Sequence, residues 1–180
     1  MARDYLDKIL EQWAEERPDL DVSPMGVIGR ISRLSRLLER NIEKVFASYD
    51  LSRGGFDVLA ALRRSGAPYQ LTPTELYNSL LISSGATTNR VDRLEERKFV
   101  ARIPDPNDRR GVLVALTPKG RRLVDKVTEA HLQNEQRLLE ALNVAERQQL
   151  AQLLRKVLIQ LDGHPEDASE VNGRRKRPVA

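Results

Sequence analysis

The chain has 180 residues, 40% of them hydrophobic, which is enough for one core with appendages and too little for two full domains. It contains no cysteine, so disulfides, thiolate metal sites and thiol redox switching are excluded, while 30 basic against 26 acidic residues (net +4) permit a nucleic-acid partner without demanding one. No apolar run approaches the ~20 residues that cross a bilayer, and an N-terminus bearing Asp4, Asp7 and Glu11 lacks a signal peptide's plan, so the expectation is a cytoplasmic protein with no membrane partner.

In chain order, Tyr5, Leu6, Ile9, Leu10 and Trp13 recur at helical spacing before Arg17-Pro18 and predict an additional short helix within residues 1–18. Ser23-Pro24 opens a long helix over 23–49, with Val27, Ile28, Ile31, Leu34, Leu38, Ile42, Val45 and Phe46 on one broad apolar face. Arg30, Arg33, Arg36, Arg40 and Lys44 make a cationic stripe on the same helix, read as a solvated face without a function. A shorter helix from about Ser52 to Arg64 buries Phe56, Leu59 and Leu62 and stops at Gly66 and Pro68; Asp57 sits inside it beside Phe56.

Residues 51–117 carry the most specific pattern. Thr72-Pro73-Thr74-Glu75 reads as a capping box with Pro73 at the first helical position, opening a short helix through Leu76, Leu80 and Leu81. Ile82 to Gly85 breaks the pattern, and a serine there can cap a second helix whose apolar side holds Ala86, Val91 and Leu94. Val100 to Ile103 and Val112 to Leu116 are strand-like runs joined by Pro104-Asp105-Pro106-Asn107-Asp108, which is strong turn chemistry. Two helices, a tight turn and a hairpin in that order outline a winged helix-turn-helix, so the expected fold is mainly α with a small β-hairpin wing (α+β).

Such a unit places the N-terminal end of its second helix in the major groove of double-stranded DNA. Ser84, Thr87, Thr88 and Asn89, short polar side chains in its first turns, are the candidates for base-edge and phosphate contacts. Arg93 has two roles open to it, a phosphate contact or a brace to the wing through an acid such as Asp92. At the wing tip, Arg109 and Arg110 suit a narrow minor groove, or one of them pairs with Asp105 or Asp108 and only holds the loop.

After the wing, Thr117-Pro118 caps a long helix with Leu123, Val124, Val127, Leu138, Leu139 and Leu142, and Asn143 with Glu146 caps another bearing Leu150, Leu153, Leu154, Val157, Leu158 and Leu161. The terminal helices offer more apolar face than one compact winged lobe can cover. The simplest answer is a homodimer through residues 23–50 and 118–162, which sets two recognition helices about 34 Å apart on a pseudo-palindromic site. Residues 163–180 are polar, end in Arg174-Arg175-Lys176-Arg177 and read as a disordered basic tail.

An enzyme is a poor reading: His131 and His164 have no catalytic or metal neighbourhood, and there is no phosphate-cradling glycine loop, nucleophile motif or paired metal histidines. No cofactor is expected. The better rival is a winged-helix protein-interaction module, or a DNA-binding module with no small-molecule ligand. Steep salt dependence and preference for a palindrome distinguish a DNA binder from an adaptor.

The segment Ser83-Ser84-Gly85-Ala86-Thr87-Thr88-Asn89-Arg90-Val91-Asp92-Arg93-Leu94, the wing Asp105-Pro106-Asn107-Asp108-Arg109-Arg110-Gly111 and the following Leu116-Thr117-Pro118-Lys119-Gly120 resemble the MarR family of bacterial regulators over roughly residues 23 to 162. The resemblance implies a dimer on palindromic DNA, usually a repressor, released by a small and often aromatic, anionic ligand. The added N-terminal helix resembles the PecS-like, urate-responsive branch. There a tryptophan of the added helix, an aspartate on the helix before the helix-turn-helix and an arginine on the recognition helix are associated with ligand response; Trp13, Asp57 and Arg90 match. An aromatic face can stack on urate or a phenolic acid while an arginine pairs with an anionic ring oxygen. Equally open is a plain structural role, with Trp13 stapling the added helix and Asp57 and Arg90 in a permanent ion pair.

Overall fold

The computed structural model describes residues 3–80 and 84–162. Leu81 and the Ile82-Ser83 break of the expected turn lie outside the described residues, as do His164 and the basic tail. The chain forms two compact units, Met1–Glu135 and Gln136–Ala180.

The first unit opens with α1 (Tyr5–Glu16), whose start is a complete capping box. Asp4 Oδ1 accepts the Leu6 and Asp7 N–H groups at 2.8 and 3.2 Å, and Asp7 returns a carboxylate oxygen to the Asp4 N–H at 2.7 Å. α1 packs on α2 (Ser23–Ala47) through two glycines. A Cβ at Gly29 would stand 2.6 Å from Leu6 Cδ1 and one at Gly26 3.0 Å from Leu10 Cδ1, so their absence of side chains forms the seat for both leucines. Arg30 closes the seat by bonding Asp4 (2.8 and 3.2 Å) and Asp7 (2.6 Å), and the Arg33 guanidinium lies over the Tyr5 ring. The cationic stripe is therefore not simply a solvated face: its first two arginines hold α1.

α3 (Arg53–Arg64) starts where Ser52 Oγ accepts the Gly55 N–H, and ends before Gly66, which takes a positive φ of 82°. α4 (Pro73–Leu80) begins on the expected box, with Thr72 and Glu75 bonded reciprocally at 2.8 to 3.2 Å. The Thr72 amide and hydroxyl also hold the Glu75 carboxyl below its ordinary pKa. α5 (Ser84–Glu96) follows, then β2 (Val100–Asp105) and β3 (Asp108–Leu116) as the wing. A further strand, β1 (Gln70–Leu71), was not expected; it pairs Gln70 with Ala115 and Leu71 with Val114 to give an antiparallel sheet of order β1-β3-β2.

α6 (Pro118–Leu138) begins where Thr117 Oγ1 donates to the Lys98 carbonyl at 2.8 Å and accepts the Gly120 N–H at 3.0 Å. The core joins Phe46 to Phe56, Val58, Leu59 and Leu62 of α3, Leu76 of α4, Val91 and Leu94 of α5, Val100 and Val114 of the sheet, and Val124 and Val127 of α6. The rings of Phe46 and Phe56 stack at 4.6 Å, and His131 packs on both at 5.1 and 5.5 Å, which makes it a packing residue. In the second unit, Asn143 and Glu146 cap α7 (Val144–Asp162) reciprocally, as expected.

Candidate nucleic-acid interface

The 3.6-residue period of α5 sorts the candidate contacts onto different faces. Thr87, Val91 and Leu94 point inward, and Thr87 is only 4% exposed. This corrects the place of Thr87 among the groove candidates: its hydroxyl is enclosed under the helix, where it lines a cavity of about 320 Å³ with Thr88, Val91, Leu76, Tyr77, Arg102 and Val114. Thr88, Asn89 and Arg93 lie exposed, and Ser84 stands at the first residue of the helix.

At the wing tip the aspartates serve the turn. Asp105 Oδ1 accepts the Asn107 N–H at 2.8 Å and Asp108 Oδ1 accepts the Arg110 N–H at 2.9 Å. Gly111 lets the two strands close, since a Cβ there would meet Asp105 Cβ at 2.9 Å and Asp108 Cβ at 3.0 Å. Among the described residues neither guanidinium, of Arg109 or of Arg110, forms an ion pair with these carboxylates, and both residues are exposed.

Asp92 does brace the wing, but not through Arg93. Its partner is Arg102 on β2, whose guanidinium reaches Asp92 Oδ1 at 2.5 Å and also bonds Glu95 Oε2. Glu95 Oε1 accepts the Arg102 backbone N–H at 2.9 Å. These carboxylates, Asp92 foremost, raise the pKa of the Arg102 guanidinium above its ordinary value. The residue escaped the sequence reading because its partners lie on another element; the only trace was an Asp and a Glu three apart on one helix before an arginine-bearing strand.

Of the three ligand candidates, Asp57 and Arg90 come together: Arg90 Nη1 is 3.9 Å from Asp57 Oδ2, within ion-pair range and beyond hydrogen-bond length. The Arg90 guanidinium lies on Gly54, where a Cβ would come within 2.5 Å of its Cζ. Arg90 also borders a cleft of about 310 Å³ with Ser52, Gly55, Arg93 and Arg97. Trp13 is on α1 at 42% exposure, and among the described residues no hydrogen bond or ring contact joins it to the pair. The described residues include no group of three or more His, Asp or Glu arranged to hold a metal, and no helix long and apolar enough to cross a membrane.

A family described as "MarR family" matches residues 49–111. The HTH-type transcriptional regulator PecS of Dickeya dadantii is 46% identical over 159 residues, covering 87% of this chain and 95% of that protein. Among solved structures, a mutant Escherichia coli MarR in complex with operator DNA is similar at a TM-score of 0.65 and 32% identity, over 77% of this chain and 99% of that one. Bordetella bronchiseptica BpsR, whose DNA binding is regulated by 6-hydroxynicotinic acid, is similar at a TM-score of 0.58 and 32% identity, over 71% and 98%.

Proposed function

The chain belongs to the MarR family of transcriptional regulators and is of the PecS type, and from that premise we propose that it binds pseudo-palindromic operator DNA as a homodimer, acts as a repressor, and is released by a small anionic aromatic ligand. The observation that carries the DNA reading is the wing tip, where Asp105 and Asp108 are engaged by backbone amides and both arginine guanidiniums face solvent. Arg109 and Arg110 enter the minor groove; Thr88 and Asn89, with Ser84 at the helix start, meet base edges in the major groove; Arg93 meets a phosphate. The similarity to a chain solved on operator DNA supports the same docking.

The ligand reading rests on Arg90. At 3.9 Å from Asp57 it is attracted but not bonded, so an anionic ring oxygen captures it without first breaking a formed hydrogen bond. Urate and phenolic acids both carry that oxygen on an aromatic face, which Trp13 stacks upon. Capture of Arg90 shifts α5 only if the ligand binds the DNA-incompetent arrangement more tightly than the competent one. The similarity to BpsR supports a ligand of this general chemistry.

The test has two arms. Titrated over a salt series, the wild type is expected to prefer an inverted repeat over random duplex and to lose affinity steeply with salt. The Arg109→Ala, Arg110→Ala variant is expected to bind about tenfold weaker with a shallower slope. Absence of any inverted-repeat preference overturns the DNA reading. Urate and hydroxycinnamates, titrated against the preformed complex, are expected to release wild type but not Arg90→Ala; equal release of both removes Arg90 from the mechanism.

A further inference from the structure

Arg102 lies away from the wing tip and away from the exposed contacts of α5, yet it ties the two together. One residue of the hairpin is held at three points: its guanidinium by Asp92 at 2.5 Å and by Glu95, and its backbone N–H by Glu95 at 2.9 Å. Two parallel bonds from one carboxylate to the amide and side chain of the same residue fix orientation as well as distance. Arg102 pairs across the ladder with buried Val114, and the next rung outward still buries Leu113 opposite Ile103, so the base of the hairpin is anchored in the core and Arg102 sits one rung inside the point from which the free part departs. From there to the tip the two strands are largely exposed, and the tip residues Pro106 to Arg110 are exposed throughout.

We infer that Arg102 is a positioning residue for DNA binding: it sets the angle of the wing to α5, so that Arg109 and Arg110 meet the minor groove when α5 is seated in the major groove. This rests on the DNA-binding reading above. The ion pairs are partly exposed, with side-chain exposures of 34, 49 and 35% for Arg102, Asp92 and Glu95, and pairs of that kind contribute little to fold stability. Their effect belongs to the geometry of the bound state.

The experiment compares Arg102→Met, Glu95→Gln and Arg102→Lys on two duplexes, one carrying the inverted repeat with its flanks and one trimmed to remove the flanking minor grooves that the wings reach. Arg102→Met and Glu95→Gln are expected to weaken binding to the full duplex by about tenfold and to leave the trimmed duplex and the melting temperature nearly unchanged. Arg102→Lys, which keeps the charge without the fork, is expected to recover part of the loss. In the Arg109→Ala, Arg110→Ala background, Arg102→Met is expected to add no further loss, because a wing without its arginines gains nothing from being aimed. Wild-type affinity of both Arg102→Met and Glu95→Gln, an equal loss on both duplexes, or full additivity with the wing-tip substitutions overturns the proposal. Failure of the wild type to prefer the inverted repeat is a separate result and overturns the DNA reading beneath it.

Discussion

Arg30 shows how one side chain changes meaning between sequence and structure. In the sequence it is a member of a cationic stripe; in the fold it bonds Asp4 and Asp7, which stand 26 and 23 positions earlier. Long separations of this kind leave no local trace, whereas the capping boxes at Thr72 and Asn143 are contained within four residues and could be read directly. Thr87 illustrates a finer limit: its polarity suggested a contact with DNA, but the helical period turns it inward with Val91 and Leu94. The Arg30 hydrogen bond is the leading cause that keeps the Asp4 carboxyl below its ordinary pKa of 3.8. A depressed carboxylate favours the docked state above its ordinary value and loses that contribution as pH falls through the lower folded value. Docking of α1 should therefore weaken as pH drops below 3.8. Trp13, the one tryptophan of the chain, reports it: Arg30→Ala at neutral pH and the wild type in acid are expected to show the same shift in Trp13 emission and the same rise in quencher access. Unaltered emission in Arg30→Ala would show that the leucine seat alone suffices.

At the level of the element, the joint between the wing and α6 has no room for a side chain at Gly120. A Cβ at Gly120 would fall 1.9 Å from the Phe99 carbonyl oxygen, a backbone atom that cannot swing aside. Gly120→Ala is expected to cost about 2 kcal/mol or more, seen as a lower midpoint in urea or thermal unfolding, because overpacking here must move the helix or the strand. A midpoint unchanged from wild type would mean that α6 shifts freely. Lys98, just before Phe99, has a positive φ of 61° and ends α5, a position where glycine is the usual choice and whose requirement the sequence conceals. The wing, the helix-turn-helix and their order were readable because turn chemistry and apolar period are local signals. β1 was not, since two residues become a strand only by pairing with β3. The Arg102 tie was hidden for the same reason: its partners belong to a different element.

For the molecule as a whole, the exposed apolar side chains are the main unsettled energy. Val27, Ile28, Ile31 and Leu34 on α2 are exposed, and so are Leu153, Leu154, Val157 and Leu158 on α7. Stripes of this size on helices mark association surfaces more than solvated ones, and the proposed homodimer would cover the same residues on both copies. Ile31→Glu and Leu158→Glu are each expected to move the sedimentation coefficient from dimer toward monomer and to abolish joint binding to the two half-sites; a wild type that sediments as a monomer would sink the symmetric arrangement. The appended helix α1 adds a property of its own. Twelve residues are too few for a helix to persist alone in water. Because Asp4 is at once the first link of that helix and a landing point for Arg30, winding and attachment happen together, and detachment unravels the segment rather than freeing an intact rod. Any anion that draws Arg30 away thus loosens winding and attachment together, and leaves the two seated leucines and the Arg33–Tyr5 contact to hold the segment.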